Sequence, residues 1–134
     1  MKFVDTSFWY ALADGRDSRH DLARRLRLAE RGALLTSNYV VGETWTLLRR
    51  RAGHAVVVRF LDQIDRLSQL SVAHVDEETE AGAWRWLRAH DKREYSFVDA
   101  TSFAIMRQRH IREALAFDGD FNAAGFVELR PPEG

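Results

Sequence analysis

The chain has 134 residues, 46% hydrophobic and 30% charged, the profile of a folded domain rather than a disordered tail. It holds no cysteine, which excludes a disulfide framework, a thiolate zinc site and a cysteine nucleophile. Its 20 basic and 20 acidic residues cancel, so gross charge makes no case for nucleic acid, yet 18 of the basic residues are arginine and they cluster. No apolar run approaches the roughly 20 residues of a membrane helix. Met1-Lys2-Phe3-Val4-Asp5 reaches an acid before an apolar leader core builds up, so no secretory leader is expected. One domain over 1–134 is expected.

Phe3-Val4, closed by Asp5, predicts a short buried strand, followed by a helix over Phe8 to Ala13. Asp17 or Ser18 is placed to cap a second helix running to about Arg31, with Leu22, Leu26 and Ala29 as its core stripe. Ala33 to Thr36 predicts the second strand. Ser37 or Asn38 caps a third helix reaching Arg51, with Gly53 past its end. Val57, Phe60, Leu61, Ile64 and Leu67 recur at helical spacing. Leu70 to Val75 predicts a third strand, and Asp76-Glu77-Glu78 puts negative charge in the first turn of the next helix. Ser96 caps a helix to about Arg109. Ala114 to Phe117 and Phe126 to Leu129 predict the last two strands, with a short helix at Asn122 to Ala124 between them, which Asp120 would cap. Pro131-Pro132 ends the fold.

Short apolar strands alternating with helices imply a mostly parallel sheet covered on both faces, a three-layer α/β/α sandwich. Four acids then stand out. Asp5 closes the first strand, Glu43 shares a helix stripe with Val40 and Leu47, Asp99 stands three residues after Ser96, and Asp118-Gly119-Asp120 follows a strand. Each has an ordinary alternative: helix cap, dipole-stabilised surface acid, capping box and turn, respectively. Together they are different. In a parallel sheet the strands' carboxyl ends share one edge, and all four acids return to it, where open α/β sheets build ligand sites. Four carboxylates there call for a cation. Oxygen ligands without histidine or cysteine suit magnesium, with manganese as the alternative, and magnesium suits phosphoryl chemistry.

The same residues carry a family resemblance. Phe3-Val4-Asp5-Thr6-Ser7, Asn38 to Thr44 with Glu43, Tyr95 to Ala100 with Asp99, and Ala116 to Phe121 with Asp118 resemble the four motifs of the PIN domain, in order, from Met1 to about Leu129. Within it the chain is similar to VapC-type ribonuclease toxins of bacterial toxin–antitoxin pairs. The resemblance implies a PIN-like fold and a cytoplasmic, metal-dependent endoribonuclease cutting structured RNA, either ribosomal or transfer RNA. It also implies a VapB-type antitoxin partner and a homodimer. Asp5 and Asp99 would hold the ion, Asp118 would contribute directly or through water, and Glu43 would bind the ion through water or orient the attacking hydroxide. Thr6 and Ser7 would support Asp5, and Asp120 would be mainly a turn residue. The segment Phe117 to Phe126 resembles relatives that cut ribosomal RNA.

Two rivals remain open at the level of sequence. An Asp5 nucleophile, as in haloacid-dehalogenase-like phosphatases, wants a second aspartate two positions on, where Ser7 stands; a receiver domain wants a strand-end lysine that Lys2 and Lys92 do not supply. The other rival is a catalytically silent PIN-like module that only binds RNA or protein. Arg16 to Arg31 and Arg49-Arg50-Arg51 form two basic clusters suited to phosphate contacts. Trp84 and Leu87 are expected in the core with Ala83. Trp86 is expected off that face, at an interface or partly buried, and Trp9 and Trp45 are expected to pack.

Overall fold

Strands buried on both faces have no alternating pattern to show, which is why they read here as bare apolar runs. In the computed structural model, which describes residues 1–132, Phe3 and Val4 of β1 (Lys2–Val4) are fully buried, and all of β2 (Leu34–Ser37) is buried too. Glu133 and Gly134, the end of the expected domain span, lie outside the described residues. β1 and β2 form, with β3 (Leu70–Ala73), β4 (Glu113–Leu115) and β5 (Val127–Glu128), a sheet of order β3-β2-β1-β4-β5. Every pairing among the described strands is parallel.

The crossovers are helical. α1 (Thr6–Ala13) and α2 (His20–Ala29) join β1 to β2, and α3 (Asn38–Ala52) and α4 (His54–Arg66) join β2 to β3. α5 (Glu77–Ala89) and α6 (Phe97–Gln108) carry the chain from β3 back across to β4, and α7 (Asp120–Ala123) leads to β5. Right-handed crossovers running in opposite directions put their helices on opposite faces. Accordingly α1 packs with α2, α3 and α4, while α6 packs with α5 and α7. The three-layer α/β/α expectation is met. The direction of winding reverses between β1 and β4, where Phe3 pairs with Ala114 and Val4 with Leu115. That crevice is the switch point of the sheet.

Several local expectations need correction. α2 begins later than its acids suggested. Asp17 Oδ1 accepts the Arg19 amide at 2.8 Å in the preceding turn, and the N-cap position falls on Arg19 with no side-chain cap. Its buried stripe is Ala23 and Leu26, with Ala29 exposed. β3, β4 and β5 are shorter than expected, because the ladder stops while Ala116 and Phe117 remain buried beyond it. α7 starts at Asp120 itself, after Gly119 in the left-handed region at φ 81°. Of the two tryptophans of α5, Trp86 is partly buried, one of its two expected places, and Trp84 is the one displaced. Thr79, Ala83 and Trp86 follow the inward stripe, so Trp86 packs on Phe103 at 5.1 Å. Trp84, one position after Ala83, turns out to solvent at 51% exposure and stacks on Phe97. Trp9 is buried as expected: its indole donates to Thr36 Oγ1 at 3.2 Å, and that hydroxyl donates to the Val4 carbonyl at 2.9 Å, tying α1 to β2 and β1.

Candidate active site

The site grows from the end of β1. Asp5 caps α1, as its place after Val4 dictates: Oδ2 accepts the Ser7 amide at 3.2 Å and the Ser7 hydroxyl at 2.8 Å. Ser7 Oγ in turn accepts the Phe117 amide at 3.0 Å, so one hydroxyl ties the carboxylate to the chain leaving β4. Asp5 is 3% exposed, yet its other oxygen, Oδ1, is buried without a hydrogen-bond partner, as is the neighbouring Thr6 hydroxyl. A buried carboxylate oxygen left alone is costly, and it marks where a cation or a donor belongs.

Around Asp5 opens a cleft of about 520 Å³, which Thr6, Ser7, Glu43, Asp99, Asp118 and Asp120 also line. The structure brings together every acid singled out in the sequence. Glu43 comes from the second turn of α3, whose start is set by Ser37 Oγ accepting the Val40 amide at 3.1 Å. Asp99 comes from the first turn of α6. The capping box with Ser96 is real, with Asp99 Oδ2 accepting the Ser96 amide at 3.1 Å, and that bond aims the carboxylate into the cleft rather than removing it from the site.

The electrostatics follow from the crowding. Burial, and then the Asp99 charge, lift the Asp5 carboxyl to about 7 against the lowering pull of Ser7, and Asp118 adds to the rise. Burial also lifts Asp99 to about 6, helped by Asp120 and Glu43 and opposed by the Ser96 bonds. Asp118 is raised as well, burial outweighing Arg19. Such a cluster is stabilised by positive charge placed among its oxygens.

Two arginines supply part of that charge. Arg93 holds Asp120 Oδ1 through Nε at 3.1 Å and Nη2 at 2.9 Å, and Arg19 Nη1 reaches Asp118 Oδ1 at 3.4 Å. No three metal-ligating side chains among the described residues form a ready-made cage. The donor set nevertheless fits a hard divalent ion, because the orphaned Asp5 Oδ1 and the raised carboxyls gain most from one.

Sequence reasoning missed Glu128. Its side chain is fully buried on β5, and it organises the turn that carries Asp118 and Asp120. Oε1 accepts the Gly119 amide, and Oε2 accepts the amides of Phe121 and Asn122, each at 3.1 Å. The signal was present as an acid inside the apolar run Phe126-Val127-Glu128-Leu129. A second cleft of similar volume lies against α1, α2 and α4, lined by Trp9, Leu12, Phe60 and Ile64 among others, with no acid in its wall.

A parallel α/β/α sheet whose switch-point crevice gathers carboxylates from the end of β1, α3, α6 and the β4–α7 turn is an arrangement suited to metal-assisted cleavage of a phosphodiester, the class of a PIN-like nuclease. The comparisons agree. The PIN domain family matches residues 2–127. The 23S rRNA-specific endonuclease VapC20 of Mycobacterium tuberculosis, in strains H37Rv and CDC 1551, is 56% identical over 131 residues, 98% of this chain and 99% of the relative. The crystal structure of Mycobacterium tuberculosis VapC20, described as a sarcin–ricin loop cleaving toxin, matches with a TM-score of 0.92 at 55% identity, covering 98% of this chain and 100% of that one. The chain belongs to the PIN-domain family and, within it, to the VapC endoribonuclease toxins. It is a hydrolase acting on RNA phosphodiester bonds, which sets aside the phosphatase, receiver and silent-module alternatives. No helix among the described residues is long and apolar enough to cross a membrane.

Proposed function

We propose that this endoribonuclease uses magnesium, or manganese in its place, to cut the sarcin–ricin loop of 23S ribosomal RNA. It acts in the cytoplasm as a homodimer, and a VapB-type antitoxin restrains it. The observation that carries the chemistry is the buried, unpartnered Asp5 Oδ1 at a switch point shared with Glu43, Asp99 and Asp118. The ribosomal target is supported by the relatives' activity at 56% identity over nearly the full chain.

Asp5 and Asp99 would hold the ion, and Asp118 would contribute directly or through water. When bound, the ion lowers the pKa of a water and offsets charge gathering on the phosphate oxygens. Glu43, on its own helix across the cleft, orients the water for attack on phosphorus. The bond to the ribose 3′ oxygen breaks, leaving a 3′-hydroxyl on one fragment and a 5′-phosphate on the other. Ser7 keeps the Asp5 carboxylate turned into the cleft through its bond to Oδ2. Asp120 is held in the turn by Arg93 and supports the site from there.

The test is to incubate the protein with ribosomes and with transfer RNA and to map the cleaved ends. A single magnesium-dependent cut in the sarcin–ricin loop, abolished by chelator, is expected. Cleavage confined to transfer RNA, or activity that survives chelation, overturns the reading.

A further inference from the structure

Arginine is the chain's dominant cation, and the arginines beside the acidic cleft are not equally occupied. Arg130 is spent on structure: Nη1 donates to the carbonyls of Ala116 at 2.8 Å and Leu129 at 2.7 Å, and Nη2 reaches Glu128 Oε1 at 3.3 Å. Arg93 is spent as well, with two bonds to Asp120 Oδ1 and one to the Asp118 carbonyl. Arg51 lies over the Tyr10 ring, 5.5 Å from its centroid.

Arg19 differs from Arg93 and Arg130 in its free donors, and from Arg51, which is seated on a ring as Arg19 is, in touching an acid of the site. Its backbone is fixed, with the amide held by Asp17 Oδ1 at 2.8 Å and the carbonyl accepting the Ala23 amide at 2.9 Å. Its guanidinium lies over the Phe117 ring at 5.5 Å, which directs it across the lip of the cleft. Among the described residues, that head makes one hydrogen bond, the 3.4 Å contact to Asp118. Both partners are about half exposed, at 47% and 52%. A stretched pair this open to solvent contributes little. Four of the five guanidinium N–H donors are left free. An anchored arm with an open, planar, multi-donor head is the geometry that grips a phosphate. The cleft needs such a group, because its ring of carboxylates repels the backbone of the RNA it acts on.

We infer that Arg19 is a substrate-binding residue, which exchanges Asp118 for a backbone phosphate flanking the scissile bond. The inference rests on the ribonuclease reading above. It makes Asp118 the resting partner of Arg19 and frees that carboxylate when RNA arrives.

The test uses an Asp5→Asn background, in which RNA binds without being cut, and measures affinity for a 23S rRNA fragment across a salt series. Arg19→Gln should weaken binding about five- to tenfold at low salt and make the slope of log affinity against log salt shallower by about 0.7–0.9, one phosphate contact. Arg19→Lys, which keeps the charge, should retain the slope. Equal melting temperatures of the variants show that the fold is kept. Unchanged affinity and slope in Arg19→Gln overturn the proposal. The salt slope needs no cleavage, so it decides Arg19 even if the sarcin–ricin loop proves not to be the target.

Discussion

Glu128 Oε2 accepts the Phe121 amide at 3.1 Å from across the β4–α7 turn, so a buried acid on the edge strand sets the conformation of a segment lining the acidic cleft. The same side chain holds the amides of Gly119 and Asn122 and meets Arg130. Glu128→Ala strands three amides and should destabilise the fold by roughly 3 kcal/mol. Denaturant unfolding measures this. An unfolding midpoint equal to that of the parent protein would show that water replaces the carboxylate without cost.

Asp5 gives the metal-free protein a pH dependence with a definite sign. The carboxyl titrates near 3.8 when unfolded and at about 7 when folded. Between those values the folded state holds the extra proton, so stability falls as pH rises through the window and levels off above about 7. Asp99, raised to about 6, adds in the same direction. In chelator, the melting temperature should drop from pH 5 to pH 8. Asp5→Asn should flatten much of that drop and stabilise the protein at pH 8 by on the order of 3 kcal/mol, while abolishing cleavage. A parent profile that rises from pH 5 to pH 8 contradicts the assignment of Asp5 as a buried acid without a counter-ion.

The fourth acid is decided between Asp118 and Asp120. A place at the strand's end would have favoured Asp118 on rigidity, but β4 stops at Leu115, and it is Asp120 that heads a helix. Availability now carries the choice. Asp120 is committed to Arg93 by two bonds, whereas Asp118 has one long contact and its charge is felt by Asp5. Asp118→Asn should therefore lower cleavage about 10- to 100-fold at saturating magnesium, and Asp120→Asn less. Cleavage assays on both variants, after circular dichroism confirms equal folding, settle the order. The reverse order assigns the role to Asp120.

Much of the site was legible because its acids sit where local structure puts them. Asp5 caps α1, Asp99 is the third residue of α6, and Glu43 lies on the stripe of α3 below Val40, so each position follows from its own helix start. Besides Glu128, the parts that escaped sequence reasoning are ion pairs whose partners lie far along the chain. Arg19 and Asp118 are 99 residues apart, and Arg93 and Asp120 are 27 apart. Trp84 was misplaced for a related reason: the stripe through Thr79 and Ala83 selects Trp86, and only the packing of α5 on α6 reveals which stripe faces in.

By itself the sequence determined the α/β alternation, the starts of α3, α5 and α6 and the return of four acids to one edge, because strand burial, capping and helical period are local properties written in neighbouring residues. Only the tertiary structure decided how those acids are held. Asp5 Oδ1 is orphaned because Ser7 turns the other oxygen toward Phe117, and Glu128 shapes the turn from a different strand. The arginine partners of Asp118 and Asp120 were settled at the same level. Hydrogen bonds and ion pairs between distant segments depend on where packing delivers each group, to within a few tenths of an ångström, and no local pattern in the chain encodes that.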